Sequence, residues 1–238
     1  MTHISVLCAT YGRPRQLEEL IGCFLNQDYA DTTLYVYNDH PAQELNFRHP
    51  RVAMYNRGAR FRTLGDKRQY MLETAPDGLV TFWDDDDIYL SNHLSFSMDW
   101  HAKFKTPVSK HMAQWHDGGH RLYRIGGAAW MNTVLADRQL LLDIGGFDPV
   151  HHNTCVSILQ RLVKAGHMVG PGHWGDTPPT FIYRIKDGRN HISTTDDTQA
   201  FSCMDTHADL TETGVIDIIP VWKEEHARKA AASWEALP

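Results

Sequence analysis

The chain has 238 residues, 42% of them hydrophobic, enough to bury one sizeable core and to form one large domain or two small ones. Its formal charge is -6 with 15 histidines counted as neutral, so no global basic field draws it to nucleic acid or an anionic membrane, although local basic patches remain open. The apolar stretches fall short of the ~18 residues of a transmembrane helix. Met1-Thr2-His3 lacks the basic opening of a signal peptide, and Cys8, Cys23, Cys155 and Cys203 contain no CxxC pair, so the expectation is a reduced, cytoplasmic protein without a membrane anchor.

The first elements alternate in type. Ile4 to Ala9 is predicted as a strand, Thr10-Tyr11-Gly12-Arg13-Pro14 as a turn, and Leu17, Leu20, Ile21, Phe24 and Leu25 recur at helical spacing. Leu34 to Tyr37 forms a second strand that runs into Asn38-Asp39-His40-Pro41. This is a βαβ unit, whose two strand ends should lie side by side on a parallel sheet, where ligands of open α/β folds bind. Arg51 to Tyr55 reads as a short third strand and Leu64 to Thr74 as a helix; within that helix Lys67 reads as a solvated charge.

Gly78 to Trp83 has the β-branched and aromatic bias of a buried strand, and Asp84, Asp85, Asp86 and Asp87 follow it directly. Four adjacent carboxylates repel one another unless a positive charge neutralises them. A divalent cation is the usual answer: hard oxygen ligands suit Mg2+ or Mn2+, with substrate phosphates and water completing the shell. Polar strand ends thus occur three times, at Thr10-Tyr11, at Asn38-Asp39 and at the aspartates.

Further along, Gly126 to Asn132 is predicted as a strand in which Trp130 could stack on a sugar or base. Asp137 to Ile144 reads as a helix stopped by Gly145-Gly146, and Cys155 to Ala165 as another. Gly170 to Pro179 is a Gly/Pro-rich loop or connector. Phe181 to Ile185 is a strand, Val215 to Pro220 a further short one, and Lys223 to Leu237 a terminal helix. No internal repeat or low-complexity linker interrupts the chain. It is therefore expected to form one domain over 1-238, in three parts at 1-100, 101-193 and a C-terminal extension at 194-238.

The run Ile4 to Pro14, the helix from Leu17 to Leu25 with Gln27, Val36-Tyr37-Asn38-Asp39, the aspartates and Gly145-Gly146-Phe147-Asp148 together resemble family 2 glycosyltransferases of the GT-A fold, over about residues 4 to 166. The resemblance implies an α/β fold, a single Rossmann-like domain with a mostly parallel central sheet flanked by helices. It implies transfer of a hexosyl or pentosyl group from a nucleotide diphosphate donor, UDP-sugar favoured, to an acceptor hydroxyl, with Mn2+ or Mg2+. Ala9, Thr10, Tyr11 and Arg13 would lie in the donor site, Ala9 and Tyr11 against the base. Asp39 would accept a base N-H, Arg68 would approach the diphosphate, Asp84 and Asp85 would lie at the donor with Asp85 holding the ribose, and Asp86 would bind the metal. A register in which Asp84 and Asp86 form the DxD pair is equally arguable. His191 resembles a C-terminal metal ligand, and Trp130 would face the acceptor, whether saccharide, protein, small molecule or modified nucleic-acid base.

The chain departs from that pattern at one place. Where many members carry an acidic pair with the general base, it has Thr154-Cys155. Three accounts are open: His151 or His152 as base, Asp148 displaced into the role, or a reaction needing no strong base because the acceptor is acidic or configuration is retained. Two rival functions follow. A nucleotidyltransferase would want a glycine-rich phosphate loop that Thr10-Tyr11-Gly12-Arg13-Pro14 lacks, and a catalytically inactive sugar-nucleotide binding module would explain the missing base.

Overall fold

The computed structural model describes residues 2-110, 114-117, 122-125, 131-167, 179-184 and 212-235. A six-stranded sheet forms its centre. It contains β1 (Ile4–Thr10), β2 (Thr32–Asn38), β4 (Val52–Asn56), β5 (Leu79–Asp84), β7 (Val108–Lys110) and β10 (Val134–Asp137), in the order β4-β2-β1-β5-β10-β7. The first four are mutually parallel, and β10 runs antiparallel to both of its neighbours. A second sheet of β6 (Ile88–Tyr89), β8 (Gln114–Asp117), β9 (Leu122–Ile125) and β11 (Phe181–Tyr183) lies beyond the aspartates, and β3 (Gln43–Asn46) pairs in parallel with β12 (Gly214–Asp217). The helices are α1 (Pro14–Leu25), α2 (Leu64–Thr74), α3 (His93–Phe104), α4 (Arg138–Asp143), α5 (Thr154–Lys164) and α6 (Glu224–Glu235). This is the mixed α/β architecture with a mostly parallel central sheet that the sequence predicts.

Each element has a local cause. Pro14 occupies the first turn of α1, where its missing N-H costs nothing, and Leu17, Leu20, Ile21 and Phe24 form one fully buried stripe. The Thr63 hydroxyl caps α2 by accepting from the Asp66 amide at 2.9 Å, and the Asp137 carboxylate caps α4 through the Leu140 amide at 3.1 Å. β1 and β5 are buried along nearly their whole length, as parallel strands covered on both faces must be. Two hydrophobic cores result, one between the sheet and α1 and one under α2, α4 and α5.

Of the strand expected over Gly126 to Asn132, residues 126-130, Trp130 among them, fall outside the described residues. Met131–Thr133 are one turn of 3-10 helix, not strand. The tighter backbone brings the Asn132 side chain inward, where its amide donates to Asp84, to Asp87 and to the Tyr89 hydroxyl, each at 3.1 Å. The Gly/Pro-rich stretch lies outside the described residues except for Pro179.

His93, at the start of α3, is buried against Trp83 and Tyr89, whose rings stack at 3.9 Å. Its Nε2 lies 3.1 Å from the Asn132 carbonyl and its Nδ1 3.2 Å from the Thr180 hydroxyl. Burial pushes its pKa down to about 4 against hydrogen bonds to the backbone of Asn132 and Thr180. Because the folded state favours the neutral form, its contribution is full above the ordinary value near 6.5 and is lost as pH falls from there toward 4, a difference of ~3 kcal/mol. Thermal melts over this interval should show the wild-type midpoint falling more steeply than that of His93→Gln; parallel curves would remove His93 as the cause.

Candidate active site

Strand register sets the site. Ala9 lies opposite Tyr37 on one side and Asp84 on the other, Thr10 opposite Asn38, and Asn38 opposite Asn56, so the polar strand ends share one sheet edge. β1 is the strand from which the chain winds outward to β2 and β4 on one side and to β5 on the other. The ends of its neighbours therefore frame a crevice of the kind open α/β sheets use for ligands.

The four aspartates have four different surroundings. Asp85 and Asp87 have no exposed surface, whereas 31% of the Asp84 side chain and 10% of the Asp86 side chain reach solvent. The Arg13 guanidinium bridges Asp85 and Asp86, at 3.0 Å from the latter, and Arg68 pairs with Asp84 at 2.6 Å. The Arg184 amide donates to Asp87 at 3.1 Å and its Nε donates to the Asp86 carbonyl. Burial pushes the Asp85 carboxyl up to about 6 in spite of Arg13, and burial with the neighbouring carboxylates raises Asp87 as well. The cation demanded by the aspartate run is thus supplied in part by the protein's own arginines.

Asp39 is buried, accepting from the Phe61 amide at 2.9 Å and from the Lys67 ammonium. The expectation that Lys67 is solvated is overturned: it is 4% exposed, and its Nζ also donates to the Thr10 carbonyl at 2.6 Å, joining the ends of β1 and β2. Burial lowers the Lys67 pKa and Asp39 opposes the shift. Lys67→Met should cost about 3–5 kcal/mol by leaving Asp39 buried and unpaired. Urea unfolding measures this, and a loss under ~1 kcal/mol would show that the pair is dispensable. Beside it, Tyr11 lies between His40, at 4.9 Å between ring centroids, and the Arg60 guanidinium, 4.3 Å from its ring.

The start of α5 reaches the same place. Arg68 donates to the Thr154 hydroxyl and approaches the Cys155 sulfur at 3.0 Å, so the two residues standing where an acidic pair was expected both touch the arginine that holds Asp84. Asp148 is half exposed and paired with Arg161 at 3.1 Å, and its polar neighbours Ser157 and Arg161 lower its pKa. His151 and His152 are half-buried, their rings 6.3 Å apart. Burial, His152 and Arg60 lower the His151 pKa. His191 lies outside the described residues.

Among the described residues no three potential ligands already converge as a metal cage. The donor set nevertheless fits Mg2+ or Mn2+. Asp84 and Asp86 are hard oxygen donors at the solvent-facing edge, and these ions take one or two protein carboxylates with phosphate oxygens and water. Residues missed by sequence reasoning include Asn132, Lys67 and Arg184, all buried polar groups whose partners are distant in the chain.

No family model and no curated protein sequence matches the chain. Solved structures do. Residues 1-349 of S. aureus TarS match with a TM-score of 0.57 at 14% identity, over 76% of this chain and 60% of that one. The same protein in complex with UDP-GlcNAc matches with a TM-score of 0.60 at 13% identity, over 78% and 59%. The mannosyltransferase PcManGT from Pyrobaculum calidifontis, in complex with GDP-Man and Mn2+, matches with 0.59 at 14%, over 79% and 58%. The chain thus spans less than two thirds of the length of these proteins. The fold is the GT-A-like glycosyltransferase fold. No helix among the described residues is long and apolar enough to cross a membrane.

Proposed function

We propose that the protein is a metal-dependent glycosyltransferase that moves a sugar from a nucleotide diphosphate to an acceptor hydroxyl. The supporting observation is the alignment of Thr10, Asn38 and Asp84 on one sheet edge, with Asp39 and Asp86 beside them, Lys67 and Arg68 buried around them and Arg13 half-buried. The neighbours bind UDP-GlcNAc and GDP-Man, so a nucleotide sugar is the donor class, and a UDP-sugar is the first choice to test. The one domain of 1-238 would divide into a nucleotide-sugar-binding donor half at 1-100, an acceptor half at 101-193 and a C-terminal extension at 194-238.

In this reading Tyr11 and the backbone at Ala9 and Thr10 receive the base, and Asp39, held by Lys67, selects it through an N-H. Of the two registers, burial favours Asp84 and Asp86 as the DxD pair, since Asp85 is enclosed behind Arg13. Asp86, with Asp84, would hold Mn2+ or Mg2+, which when bound supplies Lewis-acid stabilisation of the departing diphosphate. Arg68 adds fixed positive charge at the same edge. His191 would complete the metal shell and Trp130 would face the acceptor. The base role falls to the His151-His152 pair. Asp148 is paired with Arg161, and imidazole is the commonest general base.

A panel of nucleotide sugars with Mn2+, assayed for release of nucleoside diphosphate, tests the proposal. Slow hydrolysis of one donor, stimulated by acceptor, is expected. Release of pyrophosphate would instead identify a nucleotidyltransferase, and binding without turnover an inactive binding module.

A further inference from the structure

The C-terminal segment is sewn to α1 at a point that leads straight to the aspartates. Ile219 donates its amide to the Glu18 carboxylate at 3.1 Å, and Val221 donates to the Glu18 carbonyl at 3.0 Å. The Val221 carbonyl lies so close over Gly22 that a Cβ there would sit 2.1 Å from its oxygen, an approach only glycine permits. One residue after Glu18, the buried Glu19 carboxylate takes Lys223 on one oxygen and Arg184 on the other, with His226 of α6 at 3.5 Å.

Arg184 is the link. Its guanidinium, 9% exposed, pairs with Glu19 through one nitrogen while its Nε donates to the main-chain carbonyl of Asp86, and its own amide donates to the Asp87 carboxylate. A single side chain therefore fixes the height of the turn that presents Asp86, and its orientation is fixed by Glu19. Burial opposes the charge on Glu19, but the His226 and Lys223 hydrogen bonds and the Arg184 charge outweigh it and hold the carboxyl well below the usual range. Removing Lys223 and His226 from Glu19 would leave a buried carboxylate that competes more strongly for Arg184 and draws its guanidinium off the Asp86 carbonyl.

We propose that Arg184 is a positioning residue for the Asp86 turn, and that Lys223 and His226 at the start of α6 set its position through Glu19, making the C-terminal extension part of the donor site. That consequence for the donor rests on the proposed function, whereas the mechanical link does not. Outer partners of metal-ligating groups commonly alter metal affinity by ~10–100-fold, which sets the expected scale.

Two variants that leave Arg184 and the aspartates intact separate the cases: Lys223→Ala/His226→Ala, which removes two partners of Glu19, and Gly22→Ala, which displaces the Val221 backbone. Hydrogen exchange should accelerate at residues 84-90 in both variants, with α4 unchanged, and Lys223→Arg should restore protection. Equal exchange at 84-90 in wild type and both variants overturns the inference, whatever the protein binds. Titration with UDP and GDP in the presence of Mn2+ gives the second readout: a Kd raised ~10–100-fold in the variants supports the inference. Wild-type affinity in variants whose turn exchanges faster would confine the link to structure and overturn its donor-site role. A wild-type protein that binds neither nucleotide while exchange responds as expected counts against the proposed function and upholds the link.

Discussion

Asp86→Asn is expected to lower sugar transfer by ~10²–10³ or more, the scale of losing one preorganised stabiliser of a developing charge. The substitution is nearly isosteric, and an amide oxygen can still accept from Arg13, so the fold and the Arg13-Asp85 pair should survive. What is lost is the formal charge on a carboxylate at the solvent edge of the cluster. The other aspartates cannot replace it. Asp85 and Asp87 are enclosed, and Asp84 already shares its oxygens with Arg68 and Asn132. Circular dichroism and a thermal melt establish folding, and initial rates at saturating donor and Mn2+ give the loss. Normal turnover in a folded Asp86→Asn protein would remove the aspartate run from the chemistry.

The second large effect is expected at the histidines. His151→Ala/His152→Ala should lower turnover by ~10²–10⁴, the range for loss of a general base, with donor affinity nearly unchanged. The pH profile gives an independent check. Burial lowers the His151 pKa from its ordinary value near 6.5, so the imidazole stays neutral and able to accept a proton through the neutral range. The acid limb of the rate should then lie below about 6.5 and disappear in the double variant. Turnover that survives the double substitution would clear both histidines and direct attention to the anomeric configuration of the product, since a single in-line displacement cannot retain it.

The parts of the fold visible in the sequence are those with a local period. β1, β2 and β5 carry alternations or apolar runs whose boundaries the structure reproduces within a residue or two, α1 begins three residues before Leu17, at Pro14, and the polar residues after the strands share an edge because parallel strands bring their ends together. Side-chain partnerships were less visible. Lys67 reads as solvated because lysine by type belongs on the surface, and its partner Asp39 stands 28 residues earlier. Arg184 has no local signal at all, since the carboxylate that fixes it is Glu19, 165 positions away. The four aspartates are four identical letters in sequence, and only the fold separates fully enclosed Asp85 and Asp87 from Asp84, which is partly exposed, and Asp86, which keeps a small exposed surface. The departure at Thr154-Cys155, by contrast, was visible as a missing charge, and the structure gives those two residues a definite contact with Arg68.

The central claim is that the sheet edge at Thr10, Asp39 and Asp86 binds a nucleotide diphosphate together with a divalent ion. Isothermal titration of UDP and GDP into the protein, with Mn2+ and with EDTA, tests it most directly. Saturable binding of one nucleotide with Mn2+, lost in EDTA and weakened in Asp86→Asn, is the predicted result. No binding of either nucleotide, or equal affinity with Mn2+ and EDTA in both proteins, would contradict it.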